Sequence, residues 1–212
     1  MKTCVGFVLA VIMMSVGLGA SAATYYSDES AFLSAAGAVS LESFEGLPAD
    51  NGSLIRSQIA VTDFTMTATG MGLSVYDSMT GWGGHATDGT KFIDARSTTT
   101  AIAFAFNSPI SAFGINIVDW GDWGPGTLTY SDAAGHEWSI AFGNRPDDNL
   151  LFAGIISEPN IVFAELLIGQ NIDGESWCFD EVYYCPIPEP AGLLVLLGGM
   201  GSLTGMFLRR RK

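Results

Sequence analysis

Basic residues are scarce in the body of this 212-residue chain. Five of its nine Lys and Arg residues lie at the extreme ends, so the stretch 23–190 carries 22 acidic side chains against four basic ones. Such a body repels phosphate backbones, which excludes nucleic acid as its partner. Metal cations and neutral sugars remain compatible with this charge.

Histidines and catalytic motifs are also scarce. The chain has two histidines, His85 and His136, and no Gly-x-Ser-x-Gly nucleophile elbow. The segment Gly84–Lys91 fails as a phosphate-binding loop because Thr90 separates the last glycine from the lysine. We therefore expect no enzymatic activity. The alternative is a secreted hydrolase of polysaccharides, since a glycosidase needs only two carboxylates at a set separation.

Charged residues make up only 15% of the chain, and a long uncharged run lies near each end. The first run follows Lys2 and ends in the small residues Ala20-Ser-Ala-Ala23. A positive start, an apolar middle and an Ala-x-Ala end are typical of a secretory signal peptide. We predict a signal peptide over 1–22, cleaved after Ala22 or after Ala23, with a retained N-terminal anchor as the alternative.

The second run, Ala191–Leu208, contains no charge and is followed by Arg209, Arg210, Arg211 and a final lysine. Eighteen helical residues at about 1.5 Å each span about 27 Å, enough to cross a hydrocarbon core. Basic residues stay on the cytoplasmic side, so the acidic body is placed outside the inner membrane. The pattern predicts a transmembrane helix, and a buried core helix is the alternative.

A Pro-Glu-Pro motif, formed by Pro188, Glu189 and Pro190, directly precedes this run. The motif, the apolar span and the Arg-rich end, in that order over 186–212, resemble the PEP-CTERM sorting signal of Gram-negative bacteria. The resemblance implies recognition by an exosortase, a membrane-embedded cysteine peptidase or transpeptidase that cuts near the motif. The body would then pass to the cell surface or extracellular matrix. An ordinary Pro-rich linker before a plain anchor would instead leave the protein tethered.

The region 23–185 has the pattern of one all-β domain. Ser27 or Asp28 can cap a short helix that stops at Gly37. Beyond it, apolar residues alternate with period two in about ten short segments separated by turn residues. The pattern predicts a two-sheet antiparallel β-sandwich of jelly-roll-like topology. The alternation changes phase within 58–69 and 177–184, which predicts two β-bulges.

Four segments of the body resemble parts of secreted PEP-CTERM proteins, and their order resembles that in jelly-roll carbohydrate-binding modules. They are Phe32-Leu33, Leu41–Gly46, Asp88–Thr90 and Phe179–Tyr183. In those modules a Glu and an Asp hold a structural calcium ion, and the matching residues here are Glu45 and Asp180. The resemblance implies a Ca²⁺ site, with Asp88, Glu42 and Glu181 as further ligands, because calcium takes 6–8 oxygen atoms. The alternative is that these are solvated acids at strand ends.

One loop combines tryptophans with acids in the order Asp119-Trp120-Gly-Asp122-Trp123-Gly. Indole faces stack on sugar rings, and carboxylates accept hydrogen bonds from sugar hydroxyls. The loop therefore predicts a site for a polysaccharide ligand. Alternatively, one or both indoles close the end of the sandwich.

Two cysteines, Cys178 and Cys185, remain in the exported chain, where disulfides are allowed. Seven residues of extended strand would separate them by about 23 Å, whereas a disulfide needs Cα atoms within about 7 Å. A bridge and two free thiols are both possible at this point. Together the patterns predict an exported cell-surface or matrix protein with a structural or carbohydrate-binding role.

Overall fold

A computed structural model describes residues 23–81, 83–96, 99–120, 126–132, 137–142, 149–157, 163–169 and 176–187. The predicted signal peptide, the Pro-Glu-Pro motif, the second apolar run and the terminal arginines lie outside these residues. Within them, no helix has both the length and the apolar character needed to cross a membrane.

The described chain forms twelve strands and one helix. In chain order these are β1 Ala23–Tyr26, α1 Glu29–Ala36, β2 Ser40–Glu42, β3 Gln58–Ala60, β4 Phe64–Thr69, β5 Leu73–Tyr76, β6 Phe92–Ala95, β7 Ala101–Val118, β8 Gly126–Asp132, β9 Glu137–Phe142, β10 Leu150–Ser157, β11 Phe163–Gly169 and β12 Trp177–Pro186.

The helix α1 forms where the sequence predicts it. Of the two capping candidates, Asp28 is the N-cap, and its Oδ1 accepts the N–H of Ala31 at 2.8 Å. Gly37 ends the helix with φ at 77°, and its N–H donates to the carbonyl of Leu33. Phe32 is the fully buried residue of this helix and anchors it to the sheet.

The long strand β7 belongs to both sheets of the sandwich. Its first part, 101–106, pairs with β4 and with 165–169 of β11, whereas its second part, 110–118, pairs with β10 and β12. Phe163 of β11 also pairs with Ile110, beyond a shift in register. The first sheet continues through β3 on one side and through β8 and β9 on the other. The second continues through β1 beyond β10, and through β2, β6 and β5 beyond β12. All these pairs are antiparallel, so the predicted β-sandwich is confirmed.

The main core lies between the two sheets and is rich in aromatic side chains. Phe104 of the first sheet packs against Phe113 and Phe179 of the second, with ring centroids 5.1 and 6.0 Å apart. Phe64 packs against Tyr184 in the same way, at 5.7 Å. Burial of each such side chain contributes about 1.5–3 kcal/mol, so this layer holds the two sheets together.

One of the two predicted bulges is present. The register of β12 against β7 shifts between Asp180 and Tyr183, and Glu181 adopts the left-handed conformation with φ at 50°. The prediction of a bulge within 58–69 is wrong, because the change of phase there arises from a turn that separates β3 from β4. In that turn the N–H of Val61 donates to the carbonyl of Phe64.

The two cysteines of β12 are both free thiols. Cys178 and Cys185 lie on one extended strand that does not turn back between them. Cys178 is buried, and burial together with the nearby carboxylate of Asp94 raises the pKa of its thiol well above the ordinary value. The fold of the described chain therefore holds without a disulfide between them.

Candidate functional site

The implied calcium ligands lie on or near the outer face of the second sheet. Ile93, Ile117 and Phe179 point into the main core, and their neighbours along each strand point to the opposite face. That opposite face is covered by α1 and by the segment that joins β5 to β6. It contains polar side chains that are buried, among them Asp94, Asn116 and Asp180.

Asp180 fastens one end of the β5–β6 segment to β12. Its Oδ2 accepts the backbone N–H groups of Thr87 and Asp88 at 3.0 and 3.1 Å. The hydroxyl of Thr87 lies 2.6 Å from Oε2 of Glu181 and 3.2 Å from Oδ2 of Asp180, so its proton is shared between these two carboxylates. Oδ1 of Asp180 accepts the N–H of Glu181 at 2.7 Å. Burial raises the pKa of Asp180 to about 6, although the backbone hydrogen bonds act in the opposite direction.

Glu45 fastens the other end of the same segment. Its Oε1 accepts the N–H groups of Thr90 and Lys91, each at 2.7 Å, and its Oε2 accepts the hydroxyl of Thr90 at 3.2 Å. Glu45 is exposed, and these backbone hydrogen bonds, led by that from Thr90, hold its pKa below the ordinary value. We call Thr87–Lys91 the clasped loop, because a carboxylate holds it at each end.

The implied calcium ligands do not converge on one point. The side chain of Asp88 is exposed, and Glu42 uses its Oε1 to accept the N–H of Phe44 at 2.7 Å. Across the described ranges, no three His, Cys, Asp or Glu side chains are grouped as they would be around a metal ion. Glu45 and Asp180 instead bind N–H donors of the clasped loop. These residues therefore do not fit the implied ligand set, and calcium binding stays a prediction.

A second polar cluster joins α1 to the bulge of β12. The hydroxyl of Tyr183 lies 2.6 Å from Oε1 of Glu29 and 2.9 Å from Oε1 of Glu181. The Nδ2 of Asn116 donates to the other oxygens of the same carboxylates, at 3.3 and 2.8 Å. The sequence predicted Glu181 as a candidate but not Glu29, Asn116 or Tyr183. Glu29 and Tyr183 are 154 positions apart, so no local spacing connects them.

A third polar cluster lies beside Cys178 and was also missed from the sequence. Asp94 is fully buried, and its Oδ2 accepts a hydrogen bond from Nη1 of Arg96 at 2.8 Å. The same guanidinium donates to the hydroxyl of Tyr76 at 3.0 Å. Burial raises the pKa of Asp94, while Arg96 acts in the opposite direction. The hydrogen bond from Arg96 to Tyr76 joins the end of β6 to β5.

The tryptophan loop only partly overlaps the described residues. Trp120 is 1% exposed and packs in the main core, and its carbonyl accepts Nδ2 of Asn149 at 3.0 Å. Asp119 is also buried, with φ at 59°. Trp120 therefore closes the end of the sandwich, as in the alternative stated above, and is no exposed sugar platform. Asp122 and Trp123 lie outside the described residues, so glycan binding by this loop stays a prediction.

Comparison with known proteins gives likenesses of fold only. No protein-family model and no curated protein sequence matches the chain. Among solved structures, the K2 cleaved adhesin domain of Lys-gingipain (Kgp) is 11% identical, with 69% of this chain and 99% of that chain covered and a TM-score of 0.47. The K1 cleaved adhesin domain of Lys-gingipain from Porphyromonas gingivalis W83 is 12% identical, with coverages of 72% and 100% and a TM-score of 0.41.

A third similar structure is the C-terminal family 22 carbohydrate binding module of Clostridium thermocellum Xyn10B. It is 16% identical, with 69% of this chain and 91% of that module covered and a TM-score of 0.37. At such identities and TM-scores, these structures assign neither a ligand nor a residue role to this chain.

Proposed function

We propose that this chain is an exported cell-surface or extracellular-matrix protein of a Gram-negative bacterium, sorted at the inner membrane by an exosortase. Its β-sandwich body is a non-catalytic structural or carbohydrate-binding component. The observation that carries the proposal is the order of three features at the C-terminus. Pro188-Glu189-Pro190 comes first, the uncharged run follows, and the arginine cluster ends the chain.

The ends of the described fold support this division of the chain. The last strand, β12, ends at Pro186, and the N–H of Ile187 still donates to the carbonyl of Pro109 at 2.8 Å. A cut within or after the Pro-Glu-Pro motif would leave every described strand intact. At the other end, β1 begins with Ala23, which pairs with Ser157. Removal of 1–22 would leave the described residues of β1 intact.

Replacement of Pro188, Glu189 and Pro190 by alanines tests the sorting step. We expect a longer, membrane-bound form, because the processing enzyme no longer finds its motif. The measurement is the intact mass of the chain recovered from membrane and surface fractions of cells that contain an exosortase. The control is Pro48→Ala, a proline outside the motif, which should leave the mass unchanged. An unaltered mass in the triple variant would show that no exosortase acts on the motif.

Reversal of the terminal charge tests the orientation. Changing Arg209, Arg210 and Arg211 to Glu should cause misorientation or full release, since cationic residues hold the helix end on the cytoplasmic side. Protease accessibility of the body in intact cells measures the outcome. Unchanged surface display of this variant would contradict the model.

One observation favours the alternative of a secreted polysaccharide hydrolase. Glu29 and Glu181 both contact the hydroxyl of Tyr183, so their nearer oxygens lie no more than about 5.5 Å apart, which is the upper end of the spacing between the carboxyl groups of retaining glycosidases. Glycan binding without release of reducing ends would support the binding module. Reducing-end release that disappears in Glu181→Gln would support the hydrolase.

A further inference from the structure

A small pocket opens at the end of the sandwich where β12 finishes. It has a volume of about 70 Å³. Pockets that enclose a whole small molecule measure about 300–1,000 Å³, so this one can hold only an edge of a ligand. Its walls come from the β3–β4 turn, the middle of β7 and the end of β12, with the lining residues Asp63, Phe106, Asn107, Ser108, Ile110, Tyr184 and Pro186.

Backbone and side-chain hydrogen bonds fix the walls of this pocket. The N–H of Asn107 donates to the carbonyl of Asp63 at 2.8 Å, and its Nδ2 donates to the carbonyl of Thr62 at 2.9 Å. These bonds join the β3–β4 turn to β7, while the bond from Ile187 to Pro109 joins the end of β12 to the same strand. A site that is already ordered loses little conformational entropy when a ligand binds.

Aromatic side chains form the apolar part of the pocket. Phe106 is half-buried, and its ring packs against Tyr184 at 5.8 Å and Phe64 at 5.3 Å between centroids. Because these contacts hold the ring in place, its remaining surface is presented to the pocket in a fixed orientation. Such a surface suits the C–H groups of a sugar ring.

The polar groups of the pocket include both donors and acceptors. The hydroxyl of Tyr184 donates to Oδ2 of Asp63 at 2.6 Å, and burial raises the pKa of this tyrosine, so the phenol stays protonated. The carboxylate of Asp63 has a second oxygen. Asn107 has a carbonyl oxygen and a second N–H, and Ser108 has a hydroxyl. Adjacent sugar hydroxyls, each a donor and an acceptor, match this set.

Other ligand classes fit the pocket less well. Its lining includes a single carboxylate and no His or Cys, which is too few ligands for a metal ion. It includes no Lys or Arg either, so a phosphate or a carboxylate ligand would meet only the negative charge of Asp63. A purely apolar ligand would leave the polar groups without partners.

We propose that this pocket is a subsite for the edge of a neutral pyranose. The C–H groups of the ring contact Phe106, and its hydroxyls bond to Asp63 and Asn107. The proposal rests on the proposed carbohydrate-binding function and adds a location outside the tryptophan loop. It also names the class of sugar, because the charge of Asp63 and the acidic body disfavour uronic acids.

The test is a titration of the full chain, purified in detergent, with the methyl glycosides of glucose, galactose and mannose. Saturation-transfer difference NMR and calorimetry are the readouts, and glucuronic acid and inorganic phosphate are the anionic probes. Since the pocket holds only one edge of the ring, we expect a Kd of roughly 1–10 mM for at least one neutral glycoside and no binding of the two anions.

Two variants assign the binding to the pocket. Phe106→Leu removes the aromatic surface, and Asn107→Ala removes an exposed amide, so each should raise the Kd by about fivefold or more. Gln58→Ala alters a separate pocket, which Leu47 and Val75 also line, and should leave the Kd unchanged. Thermal unfolding checks that each variant is folded. If Phe106→Leu does not fold, Asn107→Ala alone decides the result.

The outcomes separate this subsite from the wider function. If polysaccharides bind but the glycosides do not bind at about 50 mM, the subsite is wrong and the carbohydrate-binding function stands. If the glycosides bind equally well to the wild type and to both variants, the sugar site lies elsewhere and the subsite is again wrong. If neither glycosides nor polysaccharides bind, the subsite and the carbohydrate-binding function both fail.

Discussion

The two ends of the clasped loop are held by the same chemistry in different surroundings. Asp180 and Glu45 each accept two backbone N–H groups from the loop. Asp180 is buried and its pKa is raised to about 6, whereas Glu45 is exposed and its pKa is lowered. Hydrogen bonds lower both pKa values, so the extent of burial decides whether the net pKa shift of each carboxylate is upward or downward. We infer that the buried end contributes most of the loop's stability.

The largest effect is expected from Asp180→Ala. The substitution leaves N–H groups of Thr87, Asp88 and Glu181 without their acceptor, and each unsatisfied buried donor costs about 1–3 kcal/mol. Because Asp88 is exposed, water can replace one of these bonds. We expect a loss of about 3 kcal/mol in the free energy of unfolding, measured by urea titration of the full chain at pH 7.

The matched control for this prediction is Asp180→Asn. Asparagine keeps the volume and one acceptor oxygen, so it should lose less than half as much stability as alanine. A loss below about 1 kcal/mol for Asp180→Ala would show that the loop is held mainly from the Glu45 end.

The next largest effect is expected from Gly89→Ala within the clasped loop. Gly89 has φ at 66°, and a Cβ built on it would lie 2.5 Å from Oε1 of Glu45. The left-handed conformation costs an alanine about 1–2 kcal/mol, and the clash also displaces Glu45. Gly46→Ala is the control, because no atom lies within 4 Å of its Cβ position. Equal stability of the two variants, measured in urea, would contradict the geometry of the loop.

The features of the fold predicted from sequence are those with a local signal. The cap of α1 at Asp28, the stop at Gly37 and the bulge at Glu181 depend on neighbouring residues, and all three are present. The bulge predicted within 58–69 failed because a turn between two strands produces the same change of phase. Likewise β7 contains two alternating segments, and only its pairing shows that one strand continues from the first sheet into the second.

The candidate site was predicted less completely because it depends on register. Glu45 and Asp180 were singled out through a resemblance, and in the structure both accept N–H groups of the clasped loop. The pair Asp94 and Arg96 carries no motif, and its burial follows from the packing of β6 between β5 and β12. The burial of Trp120 follows from the same long-range packing. An indole suits a sugar platform and a core equally well, so its sequence context could not decide between them.

A change of pH should alter the stabilising contributions of Asp180 and Glu45 in opposite directions. The folded pKa of Asp180, about 6, lies above the ordinary value of 3.8, so the folded chain takes up this proton more readily than the unfolded chain. Protonation of Asp180 therefore adds to the free energy of unfolding as the pH falls from 7 through 6, and this addition amounts to about 1 kcal/mol at pH 5.

The measurement is the difference in unfolding free energy between wild type and Asp180→Asn at pH 7 and at pH 5. The two proteins differ only at residue 180, so the difference isolates Asp180. We expect wild type to gain about 1 kcal/mol relative to the variant on acidification. A difference that stays constant with pH would mean that Asp180 is not the group that takes up the proton.

The smallest effect is expected from Glu45→Ala at the exposed end. Water can replace the carboxylate as acceptor, and the ammonium of Lys91 still donates to the carbonyls of Glu45 and Leu47 at 2.7 and 2.6 Å. The loss in unfolding free energy should therefore stay below about 1 kcal/mol at pH 7.

The folded pKa of Glu45 lies below the ordinary value of 4.5, so the contribution of Glu45 to stability is lost as the pH falls through and below that value. This direction is opposite to that of Asp180. Urea titrations at pH 7 and pH 4 test both points, with Glu45→Gln as the control that keeps an acceptor. A loss as large as that of Asp180→Ala would contradict the inference that the buried end contributes most of the loop's stability.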